Sequence, residues 1–142
     1  MTGSVRCAAV ALFAAAVWAT STFAQDPRAS TVQGVAREWL LLADRLDASA
    51  TWQAAGPRFQ KAITESRWAE GLAREREPRG AIVRRAVAGT SFGTKLPGIT
   101  ENGNFALVKF RTSFARRAEG AEQVSLELGA DERWRVIGYV IL

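Results

Sequence analysis

The chain reads as an α+β domain, with N-terminal helices packed on one face of a curved antiparallel sheet of about four strands. Three observations predict this. Apolar residues recur at three- and four-residue steps up to Pro78. From Gly80 onward they recur at every second position, in segments separated by turn residues. The helical segments come first and the strands follow as a run, an order that separates α+β domains from alternating α/β ones.

The first helix is expected from near Val32, capped by Thr31 after a polar lead-in over Gln25–Ser30. Val32, Val35, Ala36, Trp39, Leu42, Ala43 and Leu46 make its apolar face, and Asp47-Ala48-Ser49 closes it. A short second helix fits Ala50–Ala55, before Gly56-Pro57. A third is expected near Pro57–Glu75, with proline in its first turn, where the missing N–H costs nothing. Its apolar face is Phe59, Ala62, Ile63, Ala69 and Leu72, with Trp68 at the edge. Pro78 stops it, because the residue before a proline is pushed out of helical geometry.

Gly80–Phe92 is the first expected strand, and Lys95–Gly103 a loop containing Leu96-Pro97-Gly98. Asn104–Ala115 alternates, with Ala106, Val108, Phe110, Thr112 and Phe114 on one face and Lys109 and Arg111 on the other. Glu119–Gly129 repeats this with Val124, Leu126 and Leu128. Ala130-Asp131-Glu132 forms a tight turn into a last strand over Arg133–Leu142. After Trp134 both parities of that strand are apolar: Val136, Val140 and Leu142 on one side, Ile137, Tyr139 and Ile141 on the other. A half-buried strand keeps one polar face, so either the sheet curls or its outer face meets a partner. Homodimerisation through the sheet is the leading explanation.

Residues 1–24 carry an address. Arg6 precedes an apolar run, Cys7–Ala19, of about 13 residues, and small residues lead to Ala24, the layout of a cleaved secretory signal, with an uncleaved anchor as the alternative. The run is shorter than the roughly 20 apolar residues that a membrane-spanning helix needs. A periplasmic or secreted location follows, with no stable membrane span after cleavage and residues 25–142 as a single domain. Cys7 stands at the start of the run, which argues against a lipid-modified cysteine.

Composition then removes chemistries. Residues 25–142 hold no cysteine and no histidine, which excludes disulfides, thiolate nucleophiles, Cys/His zinc sites and serine–histidine catalysis. No cofactor or metal is expected, and no nucleotide-binding glycine pattern is present. Losing Arg6 takes the net charge from +5 to +4, a modest balance that reads as a solvated surface and not a nucleic-acid site. Arg111, Arg116 and Arg117 read likewise as a solvated hairpin end.

A resemblance rests on Trp39-Leu40, Trp52, Trp68, Arg76-Glu77-Pro78-Arg79-Gly80, Leu96-Pro97-Gly98, Phe110–Phe114, Glu122 and the closing Trp134-Arg135-Val136-Ile137-Gly138-Tyr139. Over about Val35 to Leu142 the chain resembles the exported bacterial family called domain of unknown function 4019. It departs at Val140-Ile141-Leu142, where that family more often ends in a polar pattern. The resemblance implies a layout similar to the nuclear-transport-factor-2-like and cystatin-like α+β folds, which often hold a pocket between helices and sheet. It implies no activity.

Glu122 is the sharpest candidate, since it shares strand parity with Val124 and Leu126 and so points toward the helices. A carboxylate there must be paired, protonated or open to a pocket. Its candidate partners are Arg85, which shares parity with Val83 and Val87, and Arg76 beside the helix-stopping proline. An ion pair holding the last helix to the sheet is the plain reading, a ligand anchor or general base is the rival, and an exposed position at the start of the strand is the third. Of Arg84 and Arg85 one must face inward, and a single bulge would reverse which. Trp39 and Trp134, with Trp52 and Trp68, are core by spacing and pocket-lining by alternative. The candidate ligand-binding set is therefore Glu122, Arg85, Arg76, Trp39 and Trp134. The function this supports is a non-enzymatic binding module, its partner an envelope protein or a small ligand. Two rivals stand beside it: a small carboxylate enzyme using Glu122, and a structural accessory acting through the apolar last strand.

Overall fold

The structure, a computed structural model, describes residues 26–142; the expected leader and Cys7 lie outside the described residues. Four helices, one 3-10 turn and four strands follow in the order α1 (Pro27–Asp44), α2 (Ala48–Ala54), α3 (Pro57–Ala62), α4 (Glu65–Arg76), the turn Glu77–Arg79, β1 (Ile82–Gly93), β2 (Phe105–Phe114), β3 (Arg117–Leu128) and β4 (Trp134–Ile141). The strands form an antiparallel meander in the order β1-β2-β3-β4. This is the α+β architecture that the two periodicities predict.

Helix α1 begins a turn earlier than Thr31 suggests. Asp26 is the cap, its carboxylate accepting from the Arg28 N–H at 2.9 Å, and Pro27 takes the first helical position. Its buried stripe is Ala29, Val32, Ala36, Trp39, Leu40 and Ala43. Leu46, expected on that face, instead stands exposed in the turn, with φ at 56°. It occupies the left-handed position that ends a helix: its N–H donates to Ala43 O and the Asp47 N–H to Leu42 O.

The expected third helix is two. The chain is extended at Ile63 and Thr64, and the Thr64 hydroxyl accepts from the Arg67 N–H to cap α4. A Ser/Thr side chain that can bond the backbone competes with helix continuation, and here it wins. The break turns α4 so that Trp68, Leu72 and Arg76 form its buried stripe, and Trp68 is core, not edge.

On β2, Ala106, Val108, Phe110, Thr112 and Phe114 are all at most 1% exposed, as their alternation predicts. Bulges alter parity elsewhere. In β1 register shifts fall at Val83 and Ala88, so Ile82, Arg85, Val87, Thr90 and Phe92 share the covered face while Val83 is pushed into solvent. In β4 a shift at Ile137 brings Val136, Tyr139 and Ile141 opposite Leu126, Val124 and Glu122. The expected grouping of Val136 with Val140 and Leu142 is thus overturned: Val140 and Leu142 are exposed, Val136 buried. The Gly56 N–H donates to Val136 O at 2.7 Å, which fastens the α2–α3 junction to the β4 edge. The segment 26–142 holds its own cap, sheet and a core running from Val32 to Val136, the requirements of an independently folding unit.

Candidate functional site

Six side chains from six elements converge under one end of the sheet. Asp44 is the last residue of α1 and Arg76 the last of α4; Arg85 lies on β1, Thr112 on β2, Glu122 on β3 and Tyr139 on β4. The Arg85 guanidinium forks two ways. Its Nη1 and Nη2 donate to the Asp44 carboxylate at 2.9 and 2.8 Å, and its Nε and Nη2 donate to Glu122 at 2.7 and 3.0 Å. Arg76 Nη2 donates to Asp44 at 2.6 Å, and its Nη1 lies 3.4 Å from Tyr139 Oη and 3.9 Å from Glu122. Glu122 also accepts from Thr112 Oγ1 at 2.5 Å and from Tyr139 Oη at 2.6 Å. Its side chain has no solvent-accessible surface, and that of Arg76 is 4% exposed.

Two carboxylates therefore face two guanidiniums in a charge-balanced cluster, shut from solvent at Glu122 and Arg76 and partly open at Arg85 and Asp44, which are 12% and 21% exposed. A carboxylate has about four acceptor positions, and Glu122 spends all of them on Arg85 (twice), Thr112 and Tyr139. One group is less well served: Arg76 Nε is buried without a partner, its guanidinium lying 5.7 Å from the centre of the Phe114 ring.

Burial alone would raise the Asp44 carboxyl, but hydrogen bonds and charge from Arg85 and Arg76 outweigh it and hold the group below its ordinary value of 3.8. Burial would likewise lower Arg85, yet Asp44 and Glu122 keep it above its ordinary range. Tyr139 is pushed well up, first by burial and then by the Glu122 charge and hydrogen bond. For Asp44 the sign is clear. A carboxyl held lower in the folded state stabilises the fold above its unfolded value, and that stability is lost as pH falls through the folded value. Melting midpoints followed downward from neutral pH are expected to drop at acid pH, and Asp44→Asn to flatten that drop while lowering the neutral midpoint.

Of the expected set, Glu122, Arg85 and Arg76 come together. Trp39 joins only through the Tyr139 ring, at 5.4 Å between centroids, within a stack that continues to Trp68 and Phe59. Trp134 stands apart at the other end of β4, against Phe92. Asp44, Thr112 and Tyr139 were missed. Asp44 follows Leu40 and Ala43 on the buried stripe, a signal that was legible; Thr112 sat on an inner face already identified; Tyr139 was hidden by the bulge at Ile137. Among the described residues no cluster of His, Cys, Asp or Glu is arranged to hold a metal ion.

Hollows open elsewhere. One of about 330 Å³ lies between α4 and β4, lined by Ile63, Trp68, Gly71, Tyr139, Val140 and Ile141 among others. Two more lie on the uncovered sheet face. The first, about 700 Å³, has Arg84, Arg111, Ser113, Glu119 and Leu142 in its wall, and the second, about 590 Å³, runs under the Leu96–Ile99 loop. That loop is tied back by Arg58, which bonds Glu127 at 3.0 Å and Glu101 at 3.4 Å.

A family model described as Protein of unknown function (DUF4019) matches residues 35–139. The chain belongs to the DUF4019 family. Its matched span runs from the middle of α1 to Tyr139, so all six residues of the cluster fall inside the DUF4019 region. Comparison with curated proteins and with solved structures found no match.

Proposed function

We propose that this DUF4019 protein is an exported, non-enzymatic binding module of the bacterial envelope, periplasmic or secreted. Residues 1–24 serve as its cleaved leader and residues 25–142 act by contact. The observation that carries this reading is the saturation of Glu122. A general base needs a free lone pair within reach of the proton it takes, and this carboxylate has none to offer without breaking four hydrogen bonds. The absence of histidine and cysteine from residues 25–142 points the same way. A small ligand between helices and sheet would enter the hollow flanked by Tyr139 and Ile141, below Trp68. Helices laid on one face of a four-stranded sheet support a kinship of layout with the nuclear-transport-factor-2-like and cystatin-like folds, and layout carries no function.

A second reading, a homodimer through the sheet, is favoured by Val140 and Leu142, which stand 44% and 55% exposed on β4 and just beyond it. Sedimentation of residues 25–142 over a concentration series reads it directly.

The export half is tested by producing the whole chain in a bacterial host and fractionating the cells. A periplasmic or released product whose N-terminus is Gln25 is the expected result; an intact chain in the cytoplasm overturns it. The contact half fails if any turnover disappears in Glu122→Gln while the melting midpoint stays where it was.

A further inference from the structure

The end of the sheet that lies above the ion cluster gathers two kinds of side chain that a solvated surface has no reason to combine. Here β1 and β3 begin and β2 and β4 end: Ile82 pairs with Phe114, Phe114 with Arg117, and Glu122 with Ile141. Arg84, Arg111, Arg116 and Arg117 are all exposed there, and among the described residues none makes a salt bridge. Arg116 and Arg117 reach only backbone carbonyls, those of Glu77 and Glu119. The carboxylates nearby are the exposed side chains of Glu77 and Glu119 and the main-chain carboxylate that Leu142 carries in residues 25–142, three against four arginines, so cation is in excess by one. Three of the five large hydrophobic side chains exposed among the described residues stand at this same end: Val83 at 69%, Val140 at 44% and Leu142 at 55%.

Register gives the patch its relief. Arg84 pairs with Ser113 and Arg111 with Ala86 and Ala121, so the two arginines rise beside small neighbours. Together with Gly120 and Leu142 they wall the hollow of about 700 Å³, which is open and wide enough for a phosphate headgroup. Val83 is exposed because it is the bulged residue of β1, and the same bulge turns Arg85 inward.

We infer that this end of the sheet docks on an anionic lipid surface, with Arg84 and Arg111 on headgroup phosphates and Val140 and Leu142 entering the interface. Charge complementarity selects an anionic partner. The apolar side chains select lipid over a soluble polyanion, which would leave them in water. Among the described residues no helix is long and apolar enough to cross a membrane; the contact inferred is made by the sheet end. The inference rests on reading the protein as one that acts by contact.

The test is flotation of residues 25–142 with vesicles of phosphatidylglycerol in phosphatidylcholine, against phosphatidylcholine alone, at low and high salt. Binding is expected only with phosphatidylglycerol, and weaker at high salt. Each arginine near a charged surface contributes about fivefold in binding, so Arg84→Gln with Arg111→Gln is expected to weaken it by about 25-fold. Arg84→Lys with Arg111→Lys should keep it within a few-fold, and Glu119→Gln should strengthen it. Val140→Ser with Leu142→Ser should weaken vesicle binding at constant charge. All variants are compared at matched melting midpoints. Equal binding to phosphatidylcholine overturns the inference, as does indifference to the arginine pair. Loss of vesicle binding to soluble dextran sulfate, with no effect of the serine pair, overturns it in favour of a polyanion. A folded chain that floats with neither vesicle also overturns it, and the contact reading is then judged separately by the Glu122 result.

Discussion

Glu122→Gln is expected to lower the melting midpoint of residues 25–142 by about 10 °C or more. Breaking a buried ion pair by removing one partner costs about 3–5 kcal/mol, because the charge left behind stays buried and unpaired; in a domain of this size that is a shift of such an order. The substitution keeps the shape of the side chain but replaces an acceptor oxygen with an NH2 group. Whichever oxygen is replaced, that group faces an Arg85 N–H, either Nε beside Thr112 Oγ1 or Nη2 beside Tyr139 Oη. Donor meets donor there, and Asp44 remains the one carboxylate hydrogen-bonded to Arg85. Thermal melts by circular dichroism at neutral pH read the effect. An unchanged or raised midpoint would mean that the carboxylate is not needed for folding, and would return it to candidacy as a reactive group.

Arg85→Met is expected to cost as much, about 3–5 kcal/mol, and Arg84→Met next to it less than about 0.5 kcal/mol. Arg85 is hydrogen-bonded to both carboxylates, and its removal leaves Asp44 and Glu122 sharing Arg76, which lies 3.9 Å from Glu122. Arg84 points into solvent and pairs across the sheet with Ser113. Denaturant unfolding of the two variants side by side separates them, and similar losses would mean that Arg85 is not the arginine that holds the buried carboxylates. Joining Arg85→Met to Glu122→Leu should recover part of the loss, because two apolar groups tolerate burial where one orphaned ion does not.

Much of this was legible before any coordinates. Glu122 was placed inward by simple parity, and that succeeds because β3 runs without a bulge from Glu122 to Ser125. Arg76 and Arg85 followed as its partners because a buried carboxylate must find a cation. Legibility ended where the chain leaves its regular period. The bulge at Val83 made the parity of β1 unreadable, and the one at Ile137 exchanged the faces of β4, hiding Tyr139. Thr64 cut one expected helix into two, and only the cut explains why Trp68 is core. Asp44 is a different case, since its position after Leu40 and Ala43 places it on the inward stripe of α1 by periodicity alone.

Periodicity and composition alone therefore settle the class of fold, the order of its layers, the inner face of β2 and the lack of cysteine and histidine from residues 25–142, because each depends on residue type at a local position. Which arginine faces in, which carboxylates share it, and which apolar residues are left outside depend on where a strand gains one unpaired residue. A bulge is a small backbone change whose gain lies in contacts made far away along the chain, here Arg85 with Asp44 across 41 residues and with Glu122 across 37. Local sequence holds no record of those distant partners, so only the assembled tertiary structure could decide them.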